Sequence, residues 1–146
     1  MRACLFCAIA GGSEPASLVL DDPRFVAFLD IYPMRPGHTL IVPRRHAVRL
    51  GELGVGEIGE LFGAAVRVGD ALRRAVPCKD VNVVVNDGRA ANQTVPHVHV
   101  HVIPRSGGDT WKLLLRLAQR PIQPLLGGPA RTVLDQQAAA IRGALA

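Results

Sequence analysis

Three imidazoles recur at every second position in His97-Val98-His99-Val100-His101-Val102-Ile103. In extended backbone alternate side chains leave on opposite faces, so the three rings share one face and Val98, Val100 and Val102 turn to the other, towards a core. Imidazole acts as acid, base, nucleophile or metal ligand near neutral pH, which makes such a ridge a place for chemistry rather than packing. Their span does not easily let all three hold a single zinc ion. At about 3.3 Å per residue the α-carbons of His97 and His101 lie roughly 13 Å apart, whereas the ligands of one tetrahedral zinc converge to about 2 Å from the metal. A division of labour follows: a central nucleophile, a neighbour that handles a phosphate oxygen or a leaving-group proton, and an outer ring with a separate task.

The ridge needs a sheet to carry it. Ser17–Leu20 and Phe25–Ile31 read as a hairpin around Asp21-Asp22-Pro23, and the β-branched run His38–Val42, stopped by Pro43, adds a third strand. From Gly54 to Val76 the apolar residues Ile58, Leu61, Phe62, Ala65, Val68 and Leu72 recur at three and four residues, the spacing of a helix. Glycines 56, 59, 63 and 69 each cost it about 1 kcal/mol relative to alanine, so it depends on packing against the sheet. Val81–Asn86 and His97–Ile103 complete the order β-β-β-α-β-β. The expected fold class is therefore α+β, an antiparallel sheet of about five strands with one main helix and a C-terminal helix. Residues 1–105 form the expected domain. Residues 106–146 make an irregular arm, containing a short helical piece around Leu113–Leu117, and a last helix over Thr132–Leu145 with Thr132 as its N-cap, packed on the same domain.

Composition bounds the function. A chain of 146 residues has room for one core, and 49% hydrophobic against 20% charged residues excludes the disordered class. No apolar run approaches the eighteen or more residues of a membrane span, and no membrane role is expected. The net charge of +5 comes from 15 arginines and only two lysines, Lys79 and Lys112. Such a surface suits a small anionic substrate, while 4% aromatic residues leave little with which to stack nucleic-acid bases. Cys4 and Cys7 are too close in sequence to close a useful disulfide loop, and a third cysteine leaves an odd count, so a reducing, cytoplasmic setting is expected. Arg2 with the apolar stretch Ala3–Ala10 is shorter than the roughly 15 to 30 residues of an export signal. A redox role for Cys4 and Cys7 would need a strand ahead of residue 4, where there is no room for one.

With the pattern His-apolar-His-apolar-His-apolar-apolar, the chain resembles the histidine triad family of nucleotidyl hydrolases and transferases. The resemblance extends over Cys4-Leu5-Phe6-Cys7, Ala27-Phe28-Leu29-Asp30-Ile31, Pro36-Gly37-His38-Thr39-Leu40-Ile41-Val42-Pro43, Asn86-Asp87-Gly88 and Gln93-Thr94-Val95, roughly Cys4 to Arg105. It implies that His99 attacks the phosphorus of a nucleoside phosphoramidate, phosphoester or dinucleoside polyphosphate to form a nucleotidyl-histidine that water then hydrolyses. One nitrogen of that ring must be held as a donor so that the other presents its lone pair; a backbone carbonyl or a neighbouring imidazole is able to do this. The resemblance also implies that His101 contacts the phosphate, that His38 lies beside the triad, and that Asn86, Gln93 and Thr94 supply amide and hydroxyl donors around the phosphate. Asp30 resembles the acceptor of the ribose hydroxyls, and Phe6, Ile9, Phe28 and Ile31 the apolar pocket of a purine base.

The sequence departs from the family at Asn92, where glycine is common ahead of the glutamine. Asparagine tolerates left-handed backbone better than most residues, so the loop is expected to keep its shape. Cys4, Cys7, His46 and His97 complete a closed tetrahedral set for a structural zinc, as in some bacterial members of the family, which gives the outer His97 its own task. A homodimer is expected from the small residues of the main helix and from the resemblance. The competing reading is a nucleotide-sensing or partner-regulating module that keeps the pocket without catalysis.

Overall fold

The computed structural model of the protein describes residues 4–146, so Arg2 and Ala3, at the start of the stretch weighed as an export signal, lie outside the described residues. Runs of β-branched and aromatic residues form five strands: β1 (Leu18–Asp21), β2 (Phe25–Leu29), β3 (Thr39–Pro43), β4 (Asp80–Val85) and β5 (Val100–Arg105). They make one antiparallel sheet in the order β1-β2-β3-β5-β4. Five α-helices accompany it: α1 (Leu5–Ala10), α2 (Val55–Ala75), α3 (Thr110–Gln119), α4 (Gln123–Leu126) and α5 (Arg131–Leu145).

Side-chain alternation divides the strands between two cores. Phe25, Ala27, Leu29, Ile41, Val98, Val100 and Val102 face α2 and α5, meeting Leu61, Ala65, Val68 and Leu72 of the first and Leu134, Ala138 and Ile141 of the second. Burying a leucine as completely as Leu72 contributes about 1.5–3 kcal/mol. Small residues let α2 lie close to the sheet: a Cβ on Gly69 would stand 3.2 Å from the Val81 side chain. On the opposite face Val26, Phe28, Leu40 and Val42 pack with Phe6 and Ala10 of α1. The histidine ridge lies on this second face.

Three local readings are corrected. Regular pairing of the last strand begins at Val100 rather than His97. Pro96 has no N–H to donate, the Val98 N–H goes to the Ala47 carbonyl at 2.7 Å, and the His97 ring takes the Pro43 carbonyl at 2.8 Å, where a ladder bond would otherwise form. Helix α5 starts at Arg131 with Ala130 at the N-cap position and no side-chain cap, so Thr132 lies within the first turn. The entry is held instead by Arg131, whose guanidinium donates to Ser17 Oγ and the Pro15 carbonyl. The arm is also more helical than expected, since α3 runs for ten residues.

The arm is fixed at both ends beside the ridge. At its start the buried Asp109 carboxylate accepts from Arg105 Nε at 2.9 Å and the Ser106 N–H at 2.8 Å, with Arg35 at 3.4 Å. At its end Gly128 runs so close to Ile31 that a Cβ there would strike the Ile31 carbonyl. Among the described residues no helix is long and apolar enough to cross a membrane.

Candidate functional site

Backbone carbonyls and neighbouring rings fix which nitrogen of each imidazole carries the proton. His99 Nδ1 lies 2.8 Å from the His97 carbonyl, an acceptor, so Nδ1 is the protonated donor and Nε2 keeps its lone pair. His97 is set the other way round: Nε2 donates to the Pro43 carbonyl at 2.8 Å, and the Nδ1 lone pair turns towards the cysteines. The Met34 N–H donates to His38 Nδ1 at 3.1 Å, which leaves His38 Nε2 as donor to His101 Nδ1 at 3.0 Å. His101 Nε2 therefore carries a proton, and it is a buried polar atom with no partner among the described residues. A buried donor without an acceptor costs stability, and an anion placed there would remove the cost.

Burial governs the electrostatics of the ridge. It pushes the His38 pKa down to about 3, reinforced by the charges of Arg120 and His99, and the His101 pKa down to about 3, reinforced by His38 and His99. His99 and His97 are lowered as well, mainly by burial, with their backbone carbonyl contacts acting in the opposite direction. All four rings are thus neutral near pH 7. The His99 and His101 rings meet edge to face with centroids 4.8 Å apart.

Phe6, from α1, packs edge-on against His99 with centroids 5.2 Å apart and against Phe28 at 5.6 Å. Ile9 joins this cluster half-buried, whereas Ile31 is 47% exposed at the rim. Asp30 is buried at the end of β2; one carboxylate oxygen accepts from the Tyr32 N–H at 2.9 Å, and the other lies 3.6 Å from His38 Nδ1 and 3.8 Å from Arg120 Nη2. Asn86 is half-buried and Thr94 exposed at the mouth of the loop after β4. Gln93 is committed elsewhere: its Oε1 accepts from the Gly88 N–H at 2.8 Å, and its Nε2 donates to the Val48 carbonyl at 2.8 Å and the His97 carbonyl at 3.4 Å. Its side chain shapes the loop and holds the carbonyl that orients His99. Asn92 adopts the left-handed region, φ 65°, so this substitution keeps the turn.

A second cluster sits at the outer end of the ridge. Cys4 Sγ lies 3.4 Å and Cys7 Sγ 3.5 Å from His97 Nδ1, with Cys7 Sγ 3.3 Å from His46 Nδ1. The four donor atoms are all within 4.8 Å of one another. In a tetrahedral zinc site, sulfur and nitrogen ligands stand about 3.5 Å apart, from Zn–S of about 2.3 Å and Zn–N of about 2.0–2.1 Å. These donors fit such an ion, and the His97 Nε2 bond to Pro43 is the outer contact that orients a ligating imidazole. Arg120, which spacing alone did not single out, is the functional candidate that sequence reading missed; it lies 90 residues from Asp30 with no motif around it.

A HIT domain matches residues 12–108. An uncharacterized HIT-like protein of Mycobacterium tuberculosis is 37% identical over 139 residues, 94% of this chain and 96% of its own length. The adenosine 5'-monophosphoramidase of Schizosaccharomyces pombe is 35% identical over 122 residues, 84% of this chain and 88% of its own. Among solved structures, a Zn-bound histidine triad family protein from Mycobacterium smegmatis superposes with a TM-score of 0.82 at 35% identity, covering 98% of this chain and 93% of that one. With the period-two ridge, the oriented imidazoles and a domain match over most of its length, the chain belongs to the histidine triad family.

Proposed function

We propose that the protein is a nucleotidyl hydrolase or transferase acting on a nucleoside phosphoramidate, phosphoester or dinucleoside polyphosphate, with a purine nucleotide or nucleotide conjugate as its partner. The observation that carries this reading is the pair of opposed tautomers: a His99 Nε2 lone pair beside a buried, unpartnered His101 Nε2–H. His99 Nε2 attacks phosphorus; the Nε2–P bond forms as the bond to the leaving group breaks, and the leaving group departs with the electron pair and takes a proton from solvent, which the attacking water of the second step returns. Water then attacks, its oxygen binds phosphorus, and the P–Nε2 bond breaks to release the nucleoside monophosphate and restore His99. His101 Nε2–H donates to a phosphate oxygen, with His38 behind it fixing that proton. Asn86 and Thr94 add donors at the phosphate, Gln93 positions the loop, Asp30 accepts from the ribose hydroxyls, and Phe6, Ile9, Phe28 and Ile31 enclose the base.

Cys4, Cys7, His46 and His97 hold a structural zinc, which clips α1 to the strand end. Thiolates that hold a metal must stay reduced, in keeping with a cytoplasmic setting. The protein acts as a homodimer, for which the support is an unpaired β4 edge and the small-residue face of α2, where Gly56, Gly59 and Gly63 border open space. Incubation with a radiolabelled adenosine or guanosine phosphoramidate, rapid quench and peptide mapping tests the chemistry. Acid-labile label on His99 is expected; label on another residue sinks the mechanism, and nucleotide binding with no label at all would favour the non-catalytic module.

A further inference from the structure

The site must hold an anion, yet its own imidazoles bring no positive charge. Burial keeps His38 and His101 neutral far below pH 7. Several other arginines are engaged elsewhere: Arg44 with Asp21 and the Ala10 carbonyl, Arg45 with Glu57, Arg49 with the Asp87 carbonyl, and Arg35 and Arg105 with Asp109. Arg120 differs. It lies in the turn between α3 and α4, in an arm fixed at one end by Asp109 and at the other by the tight approach of Gly128 to Ile31. Its guanidinium faces the Asp30 carboxylate oxygen that also lies 3.6 Å from His38 Nδ1.

The contact Arg120 makes is loose. Its Nη2 stands 3.8 Å from Asp30 Oδ2, beyond the 2.7–3.2 Å or so of a hydrogen bond, and its side chain is 36% exposed. Charge holds the pair together without a directional bond, so either side chain is free to take a better partner. Asp30, buried and short, stays where it is; the long Arg120 side chain is the mobile half.

We propose that Arg120 is a ligand of the substrate's phosphate: a nucleotide offers its ribose hydroxyls to Asp30 and its phosphate to Arg120, replacing both halves of the ion pair with one molecule. The inference rests on the nucleotidyl-transfer reading above. It makes the arm part of the site and adds a binding residue outside the triad. A guanidinium suits the task because its fork of donors matches two phosphate oxygens and its charge persists at any pH of interest.

Calorimetric titration of the zinc-loaded full chain with AMP and GMP, and with adenosine and guanosine, tests it in wild type and in the Arg120→Gln, Arg120→Lys and Asp30→Asn variants. For the base that binds more tightly, Arg120→Gln should weaken the monophosphate by at least about tenfold and leave the nucleoside within about twofold, with Arg120→Lys recovering part of the loss. Asp30→Asn should weaken nucleotide and nucleoside alike. An equal loss for both ligands in Arg120→Gln shows that Arg120 only positions Asp30 or the arm, and no loss shows that it touches no ligand; either overturns the inference while leaving the function intact. Wild-type protein that binds no nucleotide overturns the function reading, and this inference with it.

Discussion

The consequence of the hydrogen-bond pattern at single residues is that a neutral imidazole with an open lone pair and a neutral donor stand side by side. Replacing His99 with asparagine keeps a polar side chain and removes the lone pair on the attacking nitrogen, so turnover should fall by at least about three orders of magnitude with binding retained. His101→Asn should slow turnover less, because the other donors still face the phosphate; single-turnover kinetics separate the two, and undiminished turnover in His99→Asn would remove its assigned role. The same burial makes stability depend on pH. In the unfolded chain His38 and His101 protonate near 6.5, whereas in the folded protein they resist protonation until about 3. Between these values the unfolded state binds more protons, so the stability conferred by the neutral rings is complete above about 6.5 and is lost as pH falls towards 3. The groups facing the pair are Asp30, Arg120 and His99. Urea unfolding of wild type and His101→Asn from pH 7 to 4 should show a shallower slope in the variant; equal slopes contradict this account.

Among the elements that build the site, α1 is too short to stand alone. It has six residues and no side-chain cap, far short of the roughly 12–15 residues at which an isolated helix becomes marginally stable. Phe6 and Ala10 anchor it from below, and Cys4 and Cys7 bracket the residue that packs on His99. With the proposed zinc in place, its removal should therefore reach His99 through Phe6 as well as through His97. Tag-free protein should contain close to one zinc per chain, and Cys7→Ser should carry less than about a tenth of that, lower the melting temperature by several degrees and open residues near α1 to protease. Wild-type protein with less than about a tenth of an equivalent removes the zinc assignment.

At the scale of the whole molecule, the sheet has two edges, and they are unlike. The β1 edge lies beside α5, which sends Arg142 to the Leu18 carbonyl at 2.9 Å. The β4 edge is open, with Val83 and Val84 41% and 40% exposed, and Val66 on α2 is 63% exposed near the unfilled glycines. An open edge beside apolar surface invites pairing with a second copy, which would satisfy the strand and cover the valines. Val66→Glu should convert a dimer to a folded monomer by light scattering at micromolar concentration. A wild-type monomer across that range would contradict the homodimer.

Much of the fold was legible because it is written in local periods. Alternation at His97–Ile103 predicted the shared face of the rings, three- and four-residue spacing predicted α2, and Asn92 in the left-handed region agrees with what asparagine tolerates. The Cys-x-x-Cys pair and the family resemblance likewise pointed to the Cys4, Cys7, His46 and His97 cluster, whose donor atoms lie within 4.8 Å of one another. Local sequence did not specify what the rest of the chain does at long range. The Pro43 carbonyl met by the His97 ring, the capture of the Gln93 amide by Val48, the bond from Arg131 at the entry to α5 to Ser17 and the approach of Arg120 to Asp30 all join segments far apart in sequence. Side-chain periodicity follows from the backbone of one element, so the sequence by itself determined which residues share a face. Proton positions and charge partners depend on atoms brought from other elements, and only the tertiary structure decided them.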